Sequence, residues 1–154
     1  MLSWRSMGVD ATAHEASLIY LIGRVGQGIR RDLRACLAPS DLSVPEYTTL
    51  SVLDARPGLT NAQLARRALV APPSMIAVLA KLERRGLVRR QLDASHGRIL
   101  RAELTPAGRE LLREADPAVR ELEDGLLNGV EAEQREVASS VILTAMRHLS
   151  RRGR

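Results

Sequence analysis

Phenylalanine is absent from this 154-residue chain, and one Trp and two Tyr are its whole stock of aromatic side chains. A core must then come from Leu, Val, Ile, Ala and Met, which suits helices packed on helices better than a sandwich of strands. The single Cys36 excludes an internal disulfide and agrees with a reducing compartment. Nowhere do about 18 apolar residues follow one another, so no membrane span is expected. Met1 to Ser17 also lacks the apolar block of a signal peptide, and a cytoplasmic protein is the expectation. Cys36, His14, His96 and His148 are too scattered to suggest a metal site, and no cofactor is implied.

What the chain does have is arginine, unevenly placed. The net charge is +5, and residues 1–59 and 102–150 carry balances of 0 and −5. Residues 60–101 hold nine Lys and Arg against two Asp and Glu, and the four-residue tail from Arg151 adds three more arginines. A basic stretch confined to one segment is the footprint expected of a phosphate-binding surface.

Periodicity supplies the elements. Leu18, Ile22, Val25, Ile29, Leu33 and Leu37 recur every three or four residues and predict an amphipathic helix over 14–37. Gly23, Gly26 and Gly28 inside it either permit close packing or bend the segment; with no preceding strand and no Gly-Lys-Ser/Thr ending they are not a phosphate loop. Ser43-Val-Pro-Glu46 and Thr60-Asn-Ala-Gln63 read as capping boxes, each opening a helix. Leu69 to Ala71 form a turn, Pro72 and Pro73 fit the first turn of the next helix, and Gly86 stops it. Leu87 to Leu92 and Ile99 to Leu104 have strand composition around a turn at 93–97. Thr105-Pro106 caps a long helix expected to kink or break near Asp116 because of Pro117, and a last helix is expected over 131–149.

The order helix, turn, helix, hairpin is a winged helix-turn-helix, and with its basic charge it points to duplex DNA. The expected fold is mostly α with a small β-hairpin wing. Residues 1–12 form a flexible N-terminus, 39–117 the DNA-binding lobe, 13–38 and 118–150 dimerisation helices, and 151–154 a basic tail. In the candidate recognition helix, Met75, Val78, Leu79 and Leu82 make the buried stripe. Pro73, Ser74, Ala77, Lys81 and Arg84 then face the groove. Ser74 and Lys81 suit base edges, and Ala77 or Pro73 suits thymine methyl groups. Arg66, Arg67, Arg84 and Arg90 are assigned to phosphate. His96 and Arg98 sit at the wing tip. The apolar faces of the terminal helices exceed what the small lobe can cover, so a second copy of the chain is the expected partner. A helical enzyme is the competing class, but no nucleophile and base, carboxylate pair or metal-ligand spacing stands out. An interaction module that has lost DNA binding is opposed by the basic segment.

Leu59-Thr-Asn-Ala-Gln-Leu-Ala65, Leu82-Glu-Arg-Arg-Gly-Leu-Val-Arg89 and Leu104-Thr-Pro-Ala-Gly108, at their mutual spacings, resemble the multiple antibiotic resistance regulator (MarR) family of winged-helix transcription factors. The resemblance implies a homodimer on a pseudo-palindromic operator, with recognition helices in successive major grooves and wings in minor grooves. It further implies a repressor released by a small, often phenolic or aromatic, ligand. A pocket between lobe and dimerisation helices would draw on Tyr20, Arg24 and Tyr47. Where relatives often write Asp-x-Arg-Asp-x-Arg at the wing, this chain has Asp93-Ala-Ser-His-Gly-Arg98, so Arg98 is the surviving wing arginine and is expected in the minor groove. Ala77 replaces a polar or Arg reader common in relatives. Oxidant-sensing members place a reactive Cys near the start of the first helix; Cys36 lies near its end, which suits a small buried hydrophobe.

Overall fold

The computed structural model describes residues 17–93 and 97–152. The expected flexible N-terminus and His96 lie outside the described residues, as do the last two residues of the basic tail. Helix α1 spans Leu18–Leu37, and a 3-10 turn at Ala38–Ser40 leads to α2, Val44–Ala55. Helices α3, Asn61–Arg67, and α4, Pro72–Arg84, form the helix-turn-helix; strands β1, Val88–Leu92, and β2, Leu100–Leu104, form the wing. Helices α5, Pro106–Leu126, and α6, Ala132–Arg152, complete the described chain. Contacts divide it into two compact units, one ending at Val119 and the other beginning at Arg120.

Local chemistry sets most of these boundaries. Ser43 and Thr60 each accept a hydrogen bond from the backbone N–H three residues on, while Glu46 and Gln63 reach back to the cap N–H; both capping boxes are complete. Helix α4 ends where Gly86 adopts φ +68°, with Gly86 N–H donating to Glu83 O and Leu87 N–H to Leu82 O. That pattern is the Schellman motif, and it turns the chain directly into β1. The strands pair antiparallel in the register Val88↔Leu104 to Leu92↔Leu100. On its other side β2 meets the α2–α3 loop through a bridge between Leu59 and Ala102 that strand composition alone did not announce.

The core of the first unit is aliphatic plus Met75, as the missing aromatics require. Leu50 and Leu53 of α2, Leu64 and Ala65 of α3, and Met75, Leu79 and Leu82 of α4 are buried together with Val88, Ala102 and Leu104 of the wing. Val78, expected in the stripe, is half-buried.

One departure from expectation has a physical reason. Pro117 does not end its helix: α5 runs through it. Both Pro117 and Arg113, whose carbonyl loses a donor to the proline ring, are exposed residues, and a carbonyl open to solvent bears the loss of one intrahelical bond at little cost. Of the two roles expected for Gly23 and Gly28, close packing finds no neighbour among the described residues, where a Cβ on either meets nothing within 4 Å.

At the helix-helix turn Leu69 takes φ +53°, a left-handed conformation that a leucine adopts at a cost, although its side chain is 71% exposed. Leu69→Gly is therefore expected to stabilise the protein by roughly 0.5–1 kcal/mol, because relief of strain exceeds the added unfolded-state entropy. A rise in the urea midpoint at unchanged slope checks it; a fall means that the exposed leucine packs on something.

Candidate nucleic-acid interface

Helix α4 presents the face that its periodicity predicts. With Met75, Leu79 and Leu82 turned into the core, Pro73, Ser74, Ala77, Lys81 and Arg84 are all exposed. Ile76 joins them with 56% exposure, adding apolar area beside Ala77. The N-terminus of α4 opens with two prolines and no side-chain cap, so Ala71 leads into it with bare backbone. Around this helix Arg66, Arg67, Arg84 and Arg98 are exposed and make no ion pair among the described residues. Four uncommitted guanidinium groups on adjoining elements are free to meet phosphate.

Two expected contact residues have partners in the protein itself. The Lys81 ammonium lies 3.1 Å from Glu46 Oε2, and Arg90 forms an ion pair with Glu83 that raises its already high pKa. Arg90 and Arg98 line one open groove of about 440 Å³ between β2 of the wing, the start of α3 and α4, walled by Leu59, Ile76 and Leu100. Across the wing, Arg89 bonds its register partner Glu103 at 3.1 Å.

Glu46 is 1% exposed, yet it holds a charge among donors. Burial pushes its pKa up, but hydrogen bonds from the Ser43 hydroxyl and backbone N–H, with the Lys81 ammonium, outweigh that and leave it below the ordinary glutamate value. Arg85, just past α4, adds a second cation: its Nη1 is 3.5 Å from Glu46 Oε1 and donates to Asp41 O at 2.7 Å. The recognition helix is thus tied at its C-terminal end to the start of α2 and to the turn before it. Sequence reasoning read Glu46 as a cap and missed Arg85 altogether.

The three residues expected around a ligand separate into two groups. Tyr20 and Arg24 meet on α1, with Arg24 Nη1 donating to the Tyr20 hydroxyl at 3.1 Å and the guanidinium carbon 5.9 Å from the ring centroid. Tyr47 is half-buried and donates its hydroxyl to Asp116 Oδ1 at 2.9 Å, linking α2 to α5. Cys36 packs against the core with its thiol toward Leu33 O at 3.4 Å.

Known proteins share this arrangement. The model of the MarR family matches residues 40–99, the stretch from the 3-10 turn to the wing. The HTH-type transcriptional repressor Rv2887 of Mycobacterium tuberculosis is 43% identical over 122 residues, covering 79% of this chain and 88% of the relative. Its structure in complex with salicylic acid superposes with a TM-score of 0.67 at 39% identity, covering 87% of this chain and 99% of that one. The transcriptional repressor CouR, bound to a 23-mer DNA duplex, gives a TM-score of 0.77 at 30% identity over 84% of this chain and 92% of its own. These relatives are regulators rather than enzymes, and they share the helix-turn-helix and wing described above. By sequence and by fold the chain belongs to the MarR family of transcriptional regulators.

Proposed function

We propose that the chain is a cytoplasmic, homodimeric, sequence-specific DNA-binding repressor. The observation that carries this reading is the exposed face of α4 flanked by Arg66, Arg67, Arg84 and Arg98, which are exposed and make no ion pair among the described residues. In this reading Ser74, Ala77 and Pro73 meet base edges in the major groove, with Lys81 held back by Glu46 and thus a weaker reader than its position implies. Arg66, Arg67 and Arg84 position the protein on phosphate, Arg90 does so only as far as Glu83 releases it, and Arg98 enters the minor groove. CouR on its duplex supports DNA as the partner.

Dimerisation is supported by uncovered apolar surface. On α1, Leu18, Ile19, Ile22 and Val25 are between 43% and 83% exposed; on α6, Val137, Val141, Ile142 and Leu149 are between 45% and 68% exposed. Faces of that kind are buried in a stable soluble protein, and a two-fold partner would place two recognition helices about one helical turn of DNA apart. For the effector, the Tyr20–Arg24 pair offers a cation beside a phenol, which suits an aromatic acid, and salicylic acid bound to Rv2887 supports that class.

Binding to a duplex that the protein itself selects from a random-sequence pool should weaken steeply with salt, with a log–log slope of roughly −6 to −10 for a dimer engaging that many phosphates. Titration by fluorescence anisotropy from low to high salt measures it. An association that ignores salt would remove DNA as the partner.

A further inference from the structure

A two-stranded hairpin has little stability of its own, so a wing that delivers an arginine to DNA needs something to fix its direction. Arg101, the second residue of β2, is placed to do that. Its Nε donates to Asp93 Oδ2 at 2.6 Å, and its Nη1 donates to the Gly58 carbonyl at 2.9 Å. Asp93 follows β1 immediately and lies two residues beyond Gln91, the register partner of Arg101, so the pair is a diagonal on one face of the hairpin. The Asp93 side chain is 10% exposed, a degree of shielding that a carboxylate accepts only when paired. Gly58 belongs to the α2–α3 loop, whose Gly58 N–H and Leu59 O also bond Ala102. One guanidinium therefore fastens the far end of β1 and the loop entering the helix-turn-helix to the strand between them.

We infer that Arg101 is a positioning residue that sets the direction in which the wing presents Arg98, through its joint hold on Asp93 and Gly58. The strut stands where the chain departs from its relatives' wing pattern, with Ser95 and His96 in place of the Arg and Asp that would help orient the wing arginine. The competing role, a direct phosphate contact, fits less well, because two edges of the guanidinium are already occupied inside the protein.

The inference rests on the reading that Arg98 contacts DNA, and a double-mutant cycle on the full chain separates the two. Wild type, Arg98→Ala, Arg101→Ala and the double variant are titrated by anisotropy against a duplex that wild type selects from a random pool. Arg98→Ala is expected to weaken binding by about tenfold, the usual order for one groove contact. Arg101→Ala should cost a similar factor, and the double variant no more than the larger single loss. Arg101→Lys, which keeps the charge and can satisfy one acceptor at a time, should restore part of the affinity. Ser74→Ala should multiply with Arg101→Ala, since α4 does not depend on the strut. Losses at 98 and 101 that simply multiply overturn the positioning role while leaving the wing reading intact. An Arg98→Ala variant that binds like wild type overturns the wing reading itself. Should Arg101→Ala not fold, Asp93→Ala removes the other end of the strut, and its coupling to Arg98→Ala, or the lack of it, decides the positioning role in the same way.

Discussion

Gly108→Ala is expected to destabilise the protein by about 3 kcal/mol, the upper end of what overpacking costs, even though alanine is the better helix former. Gly108 is buried in the first turn of α5, and a Cβ there would stand 2.0 Å from the carbonyl oxygen of Leu87 and 3.0 Å from its carbon. The obstructing atoms are backbone, and that backbone is held on several sides. Leu87 O accepts the Thr105 N–H at 3.1 Å, Leu87 N–H donates to Leu82 O, and the Thr105 hydroxyl donates to Gly86 O at 2.6 Å while accepting from Gly108 N–H at 3.0 Å. No side chain can swing aside to make room. Either α5 lifts from the end of α4 or the wing shifts at its root, and both separate buried surface. Urea denaturation at fixed protein concentration measures the loss, with Ala107→Gly as comparator, an exposed site where about 1 kcal/mol of propensity is all that is at stake. A more stable Gly108→Ala would mean that α5 does not approach the wing root as closely as this.

What could be read along the chain was what short-range chemistry writes. The boxes at Ser43 and Thr60 span three residues each, the stop at Gly86 needs one left-handed residue, and the α4 face follows from the 3.6-residue period. The same period gave the exposed Pro73, Ser74, Ala77, Lys81 and Arg84 correctly. It could not say that Lys81 and Glu46, 35 residues apart, would share a charge, nor that Arg101 would reach Gly58 across 43 residues or Tyr47 reach Asp116 across 69. Such pairs depend on how elements dock, and each of these side chains had an adequate local reading: reader, strand residue, pocket tyrosine. At Pro117 the expected break does not occur, since α5 continues through it. A rule about interior prolines was applied without knowing that Pro117 and Arg113 would both be exposed, where losing one intrahelical bond costs least.

The same long-range pairing makes Glu46 the second position of large effect. Glu46→Ala removes the reciprocal arm of the α2 capping box, leaves Lys81 without its carboxylate, and leaves Arg85, with a side chain only 25% exposed, the more distant Asp41 Oδ2 at 3.8 Å as its one remaining carboxylate among the described residues. Loss of a partner from a buried pair costs several kcal/mol, and partial exposure of both cations reduces it here to about 3 kcal/mol. Glu46→Gln keeps the volume and an acceptor and should lose about half as much. The charge also sets a pH signature. Because the folded-state pKa of Glu46 lies below its ordinary value of about 4.3, its contribution is fully present above that value and disappears as pH falls through the lower folded value. The stability gap between wild type and Glu46→Gln is thus constant near neutrality and closes in acid, below about pH 4. Chemical denaturation of both proteins from neutral pH into that window reads the closure directly. A gap that stays open in acid would assign the loss to packing around the amide instead of to the charge that joins α2 to the recognition helix.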